Sequence, residues 1–337
     1  MTTESSQLVS IVVPVLDEAD NISAMMRRFD EILAANRDYR FEFVVVDDGS
    51  TDQTLELLRK HAESRSDLAV VVLSRNFGSH AAISAGLAEA AGDCAIVIGG
   101  DLQEPPELVG TLLQEWEIGY DVVWGVREQR VGQRFFGRFL SGTFTKLLTR
   151  LSDLDNYPAE GPSGVLCSRQ VIDVVLRLPE RNRNVLGLMA WSGFRQGRVQ
   201  YRQQERAAGE TKWSRPKKLK LAVDSFVQFS FLPVRLMTYS GLAIAALGFI
   251  YAIFLIVRRV FAETGVEGWT TVVVLVLIVG GVQLVMLGVL GEYLWRAVDE
   301  ARGRPLYVVR ETVRPLPGAI PSGQAALQRE GDDDHPA

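Results

Sequence analysis

Three short stretches of this chain end an apolar run on carboxylates. Asp17-Glu18 follow Leu8 to Val15, Asp47-Asp48 follow Phe41 to Val46, and Asp101-Leu102-Gln103 follow Cys94 to Ile98. Acidic residues are common in such turns as helix caps, so any one of them alone reads as a cap. Three together, beside Gly49-Ser50 and Gly99-Gly100 where a backbone can approach closely, read as a polar ligand site. A carboxylate repels a pyrophosphate, so it works there on sugar hydroxyls and base edges or through a bridging divalent cation. A carboxylate and an amide are hard oxygen donors that suit Mg²⁺ or Mn²⁺ held jointly with substrate phosphates. Asp101 and Gln103, two apart on a segment expected to be extended, face the same way.

The elements that must position these groups are legible as alternating strands and helices. Val44-Val45-Val46 is continuous rather than alternating, as in a buried parallel strand covered by helices on both faces, and ligands gather at the carboxyl ends of such strands. Strands are expected at 8–15, 41–46, 68–73, 94–98 and 121–125. A helix from Asn21 carries Ile22, Met25, Met26, Phe29, Ile32 and Leu33 on one face, and Thr51-Asp52 can cap a second helix. Ser74-Arg75-Asn76-Phe77-Gly78 precede an alanine-rich helix running to Ala91, and Pro105-Pro106 open another. This alternation predicts a right-handed, mainly parallel α/β sheet. No Gly-x-x-x-x-Gly-Lys loop occurs, and no Gly-x-Gly-x-x-Gly follows the first strand, which argues against kinase and dehydrogenase chemistry.

From Arg134 the pattern changes. Phe136, Leu140, Phe144, Leu147, Leu148 and Leu151 recur at helical spacing with Arg134, Arg138, Lys146 and Arg150 on other faces. Such a helix can face a core or lie on a membrane surface, where basic residues meet anionic headgroups. Leu236 to Val257 and Trp269 to Leu290 each run 22 positions without a charge. At ~1.5 Å per residue each reaches roughly 33 Å, enough for a hydrocarbon core of about 30 Å. Two transmembrane helices are therefore expected, joined by the short link from Arg258 to Gly268. Arg206, Lys212, Arg215, Lys217, Lys218 and Lys220 precede the pair, and Arg296, Arg302, Arg304, Arg310 and Arg314 follow it. Despite Arg258 and Arg259 in the link, this bias puts both termini in the cytoplasm.

The 337 residues exceed one modal domain, and the net charge of −5 conceals that basic cluster. The end from Glu330 to Ala337 reads as a solvated acidic tail. Cys94 and Cys167 sit in apolar strand-like settings and read as buried small hydrophobes rather than a disulfide. No charged-then-apolar leader opens the chain. The expected organisation is a cytoplasmic domain over 1–205, a basic juxtamembrane segment over 206–235, spans at 236–257 and 269–291 around an extracytoplasmic loop at 258–268, and a cytoplasmic tail over 292–337.

Several blocks together carry a family resemblance. They are Ile11 to Glu18, Val46 to Asp52, Leu73 to Gly78, Asp101-Leu102-Gln103-Glu104-Pro105-Pro106-Glu107, Gly119 to Arg127, Arg206 with Gly209 to Ser214, and Leu290-Gly291-Glu292-Tyr293. From Val9 to about Arg310 the chain resembles the family 2 glycosyltransferases of GT-A fold, specifically the polyprenyl-phosphate glycosyltransferases similar to dolichyl-phosphate mannose synthase and bacterial undecaprenyl-phosphate sugar transferases. The resemblance implies a GT-A, Rossmann-like catalytic domain followed by a two-helix transmembrane hairpin at the cytoplasmic membrane. It implies inverting, metal-dependent transfer of a sugar from a UDP- or GDP-sugar to polyprenyl phosphate.

It also implies roles for residues. Asp17, Glu18, Asp47 and Asp48 would bind the nucleotide, with Pro14 shaping the first loop and Arg75 and Gly100 beside it. Asp101 and Gln103 would hold Mg²⁺ or Mn²⁺. Arg127, Arg138 and Ser141 would grip the lipid phosphate, and Arg206 and Lys212 would bind phosphate near the catalytic pocket. The implied partners are the nucleotide sugar, the polyprenyl phosphate, membrane lipid and a second copy of the chain, with Gly280, Gly281, Gly288 and Gly291 for close helix contact; no nucleic acid is implied.

Two positions depart from the family's pattern. Gly99 stands where the first acid of Asp-x-Asp-Leu-Gln is usual. Pro162-Ser163-Gly164-Val165 replaces a stretch that carries an acid and an arginine in the family, with Glu160 or Asp155 as candidate substitutes. These departures sustain a second reading, a catalytically degenerate GT-A paralogue that binds nucleotide sugar or lipid. A processive polysaccharide synthase is disfavoured, because the chain lacks Gln-x-x-Arg-Trp and further spans.

Overall fold

The computed structural model describes residues 7–128, 157–158, 164–180, 183–204, 232–261 and 268–314. In chain order the elements are β1 (Leu8–Val15), α1 (Ala19–Ala35), β2 (Arg40–Asp47), α2 (Thr54–Ser64), β3 (Leu68–Leu73), α3 (Ser79–Glu89), β4 (Cys94–Val97), α4 (Glu107–Glu117) and β5 (Val122–Arg127). They continue with β6 (Gly164–Ser168), α5 (Arg169–Arg177), α6 (Val185–Trp191), β7 (Gln196–Tyr201), α7 (Leu232–Phe261), α8 (Trp269–Ala301) and β8 (Val309–Val313).

The strands form one sheet in the order β7-β5-β6-β4-β1-β2-β3-β8. Its centre, β4-β1-β2-β3, is parallel throughout, as the apolar runs predict. The sheet is mixed outside that centre: β6 runs antiparallel to β4 and β5, and β8 runs antiparallel to β3. β7 returns parallel to β5, so β5 and β7 end at the same edge as the central strands.

Both faces of the sheet are covered, which is why the strand interiors are continuously apolar. Val9, Ile11, Val13, Phe43 and Val45 pack with the apolar stripes of α1 and α4, including Met25, Phe29 and Leu112. Val12, Val44, Val46 and Val71 face the other way, onto α3, α5 and α6 through Ala82, Val171 and Leu188. Phe29 stacks on Phe43 with ring centroids 4.0 Å apart. Cys94 and Cys167 are buried and free, as expected of small core hydrophobes.

Beyond β7 the character changes. α7 and α8 expose large apolar side chains to their surroundings along much of their length, with Leu242, Leu247, Phe249, Leu284 and Val285 each about two-thirds or more exposed. Such surface is unfavourable in water and matches a hydrocarbon environment. Where they meet, Gly241 lets Met286 approach so closely that an added Cβ would lie 2.9 Å from its Cε. Among the described residues one segment, Ile278–Ala301, is long and apolar enough to cross a membrane, and Gly241–Tyr251 is a shorter apolar stretch. Ile278–Ala301 overlaps the second of the two expected spans, and Gly241–Tyr251 lies within the first.

After α8 the chain re-enters the sheet. Residues 309–313, read from sequence as part of a tail, pair with β3 in antiparallel register, Val71 opposite Thr312. Arg59 pairs with Glu311 and Arg314 with Glu89, fastening this edge strand to α2 and α3. The Arg134–Leu151 segment, the basic cluster at 206–220 and the acidic end lie outside the described residues.

α3 sits unusually close to the sheet. A Cβ on Gly86 would lie 2.4 Å from Val12 Cγ1 and 3.0 Å from Val46 Cγ2. Overpacking of this kind costs about 1–3 kcal/mol. Gly86→Ala should lower the unfolding free energy by that amount in chemical denaturation of the detergent-solubilised chain.

Candidate functional site

The parallel register carries the ends of β1, β2, β3 and β4 to one edge, and with them Asp17-Glu18, Asp47-Asp48, Ser74 to Gly78 and Gly99 to Gln103. The convergence read from the sequence is therefore present. What each carboxylate does there differs from residue to residue.

Asp17 and Glu18 build the loop. Asp17, with φ 48, donates its N–H to Ser50 Oγ at 2.8 Å, and its Oδ1 accepts from Thr51 N–H at 2.7 Å and Thr51 Oγ1 at 3.2 Å. Glu18 Oε2 accepts from Asn21 Nδ2 at 2.6 Å, while its own N–H donates to Thr54 Oγ1. Asp52 accepts from Thr54 N–H and Ala19 N–H, joining the starts of α2 and α1. Pro14 lies within β1 opposite Val46.

Asp48 is a clamp. Its two carboxylate oxygens accept from Phe77 N–H at 2.7 Å and Gly78 N–H at 2.9 Å, fixing the loop before α3. Gly49 is required beneath that loop: its φ is 76, and a Cβ would lie 2.5 Å from the Arg75 carbonyl carbon. Arg75, exposed at the lip, lays its guanidinium 4.1 Å from the Phe77 ring centroid.

Asp47 is the exception. Its Oδ1 accepts from Ser50 N–H at 3.2 Å, whereas its Oδ2 is buried with no hydrogen-bond partner. Burial raises the carboxyl pKa of Asp47 and Asp48, against the hydrogen bonds that lower it. An orphaned buried acceptor costs free energy, which sets Asp47 apart from the other acids of this edge.

At the end of β4 the segment 101–103 is not extended as expected. Leu102 has φ 57, a left-handed turn that folds the chain back. Gly100 packs directly on β1, where a Cβ would lie 2.8 Å from Val15 Cγ1. Gln103 Oε1 accepts from Gln203 Nε2 at 2.6 Å, and Gln203 Oε1 in turn accepts from Arg127 at 3.5 Å, so β5 and β7 are tied to the same edge.

The turn brings in Glu104, which the sequence reading quoted but did not assign. Glu104 is 8% exposed, and Oε2 accepts from Gly99 N–H at 3.3 Å. Burial first, and Asp101 second, push its carboxyl up to about 7. Arg28 on α1 donates to the Glu104 carbonyl and, at 3.0 Å, to Gln204 Oε1. Gln203, Gln204 and Arg28 carry no local signal in sequence, because the fold alone brings them to residue 104.

Among the described residues no three His, Cys, Asp or Glu side chains gather as a metal cluster. Two carboxylates border the end of β4, where a Cβ placed on Gly99 would meet Asp101 Oδ1 at 3.0 Å and Glu104 Oε2 at 3.3 Å. Such carboxylate oxygens are hard donors of the kind Mg²⁺ and Mn²⁺ take.

Val165, at one of the departing positions, is 2% exposed in the core between β4 and β5. That position therefore contributes no cation to the edge. Arg138, Ser141, Ser163, Glu160, Asp155, Arg206 and Lys212 lie outside the described residues.

Comparison with known proteins accords with this geometry. Residues 10–176 match the Glycosyl transferase family 2 domain, and residues 232–296 match the GtrB C-terminal hairpin. The glycosyltransferase YkcC of Bacillus subtilis is 39% identical over 303 residues, 90% of this chain and 93% of that protein. A prophage bactoprenol glucosyl transferase homolog of Escherichia coli is 35% identical over 307 residues, 90% of this chain and 98% of that protein. Among solved structures, the mannosyltransferase PcManGT of Pyrobaculum calidifontis, in complex with GDP-Man and Mn²⁺, is similar at 16% identity and a TM-score of 0.46, covering 84% of this chain and 88% of that one. With a carboxylate-lined parallel edge and full-length relatives of this kind, the chain belongs to the family 2 glycosyltransferases and carries their GtrB-type C-terminal hairpin.

Proposed function

We propose that the chain transfers a sugar from a UDP- or GDP-sugar to a polyprenyl phosphate at the cytoplasmic face of a membrane, with inversion and with a divalent cation. The observation that carries this reading is the return of the chain from α8 into the edge of the catalytic sheet as β8. It ties a carboxylate-lined donor site to a helix pair whose exposed surface is apolar, so donor and lipid are met by one body. The full-length similarity to bactoprenol glucosyl transferases supports a polyprenyl acceptor.

The same connectivity supports a hairpin with both ends on one side. β7 and β8 belong to one sheet, and the segment between them must cross an even number of times. α7 and α8 are then two spans, although only the α8 segment qualifies by composition among the described residues. Gly280, Gly281, Gly288 and Gly291 have nothing within 4 Å of an added Cβ, which leaves room for a helix of a second copy.

Each group at the edge then has a task. The Asp47 carboxylate accepts from a base or ribose donor, and Asp48 holds the loop that covers it. Asp101 and Gln103 would hold the cation, which would supply charge to offset that on the leaving diphosphate. Arg75 and Arg127 lie at the mouth of the same edge and attract the two anionic substrates, whose mutual repulsion is the main barrier to bringing them together. A phosphate acceptor is already largely ionised near neutral pH, so the transfer does not depend on a base from the Pro162–Val165 stretch.

The degenerate-paralogue reading is favoured by one observation, the sealing of Val165 in the core. Release of nucleoside diphosphate by the purified chain decides between the two. With undecaprenyl phosphate, Mn²⁺ and a panel of UDP- and GDP-sugars, release should require the lipid. In Asp101→Ala it should fall by about 10²–10³-fold, as for loss of a principal electrostatic contributor. Nucleotide binding without release in the unaltered chain would establish the paralogue. Asp48→Ala frees the Phe77 and Gly78 N–H groups and should weaken UDP or GDP binding about tenfold in calorimetry, the scale of one hydrogen bond to a charged group.

A further inference from the structure

We propose that Arg28 is a positioning residue for the transfer. From α1 it locks the turn after β4, which carries Asp101 and Glu104, to the exit of β7, where Gln203 holds Arg127. The inference rests on the transfer reading above and adds to it a residue that acts through others.

The sheet by itself does not fix this junction. β4 and β7 are separated by β6 and β5, so no ladder bonds join the strand that leads to the acids to the strand that leads to Gln203. The turn after β4 is also held in a disfavoured conformation, with Leu102 at φ 57, and such a residue persists only where its surroundings determine it. What joins the two ends is a set of contacts beyond the strands. Gln204 N–H donates to the Gln103 carbonyl at 3.0 Å, and Gln203 Nε2 donates to Gln103 Oε1 at 2.6 Å. Arg28 spans both partners, donating through Nη1 to the Glu104 carbonyl and through Nη2 to Gln204 Oε1 at 3.0 Å.

The place of Arg28 on its helix suits that task. It follows Met25 by three residues and precedes Ile32 by four, both buried, so it lies at the border of the packed face of α1 with its side chain 14% exposed. A planar guanidinium offers its donors in one fixed fork, which a lysine does not reproduce. Its carboxylate neighbour Glu31, 3.2 Å from Nε, is 57% exposed, and an ion pair so open contributes little. On the far side of the junction Arg127 donates to Gln203 Oε1 at 3.5 Å. Burial raises the Glu104 carboxyl, and the Arg127 charge counters that rise, so the two groups sense each other across the edge. Any slip of the turn against the exit of β7 therefore changes the spacing between these acids and Arg127.

The test is steady-state release of nucleoside diphosphate by the full chain in detergent, with undecaprenyl phosphate, Mn²⁺ and a UDP- or GDP-sugar that the unaltered chain uses. A thermal melt of each variant puts the rates on a per-folded-molecule basis. Arg28→Met keeps the apolar stem and removes both donated bonds. Its kcat should fall about 10–10²-fold, the scale of a slightly displaced catalytic group, while KM for the nucleotide sugar is unchanged. Gln204→Leu removes one of the two bonds and should give a smaller loss of the same kind. Arg28→Lys returns the charge and a single donor and should recover part of kcat. An unchanged kcat per folded molecule in Arg28→Met, or a rise in KM that accounts for the whole loss, would overturn the positioning role and leave the transfer reading in place. Should Arg28→Met not fold, Gln204→Leu and Arg28→Lys decide on the same terms. An unaltered chain that releases nothing with any donor would overturn the transfer reading and this role with it.

Discussion

The donor edge depends on one interaction, the grip of the Asp48 carboxylate on the Phe77 and Gly78 N–H groups. It joins the end of β2 to the loop after β3 and holds Arg75 over the edge. The two N–H groups it holds lie just ahead of α3, so this acid fixes the path of the loop between β3 and the helix.

The second constraint is topological. A sheet that ends in β8 cannot let its apolar helices wander, because the strand that follows them is paired to β3 and fastened by Arg59–Glu311 and Arg314–Glu89. Ser74 N–H also donates to the Val308 carbonyl at 2.9 Å, so the link from α8 touches the first residue of the loop that Asp48 holds. The lipid-facing segment and the donor loop are thus neighbours through the backbone itself.

Much of this was legible in the residues. Val44 to Val46 running unbroken into Asp47-Asp48 announces a doubly covered parallel strand, because only burial on both faces removes the polar alternation. The apolar stretches after residue 231 mark the GtrB-type hairpin by length and lack of charge. β8 was not legible: Val309-Arg310-Glu311-Thr312-Val313 is short and charged, and an edge strand of that kind has the same composition as a solvated tail. Glu104 was hidden for a different reason. Its position depends on a leucine in the left-handed region, which propensity disfavours and no pattern signals. The family resemblance implied nucleotide binding for all four acids of the first two turns, and their local hydrogen bonds had no signal in the sequence. The loops use Asp17, Glu18 and Asp48 in their own construction, and the buried, unpartnered Oδ2 belongs to Asp47.

The central claim is that this edge and these helices serve one reaction between a soluble donor and a lipid acceptor. The most direct measurement is the fate of the sugar itself: incubate the purified chain in lipid nanodiscs with radiolabelled nucleotide sugar and undecaprenyl phosphate, then partition the mixture between water and organic solvent. The account predicts label in the organic phase, in a mild-acid-labile lipid phosphate, that depends on divalent cation and is absent without the acceptor. Label that remains wholly aqueous for every UDP- and GDP-sugar, in a folded chain that binds nucleotide, would contradict it.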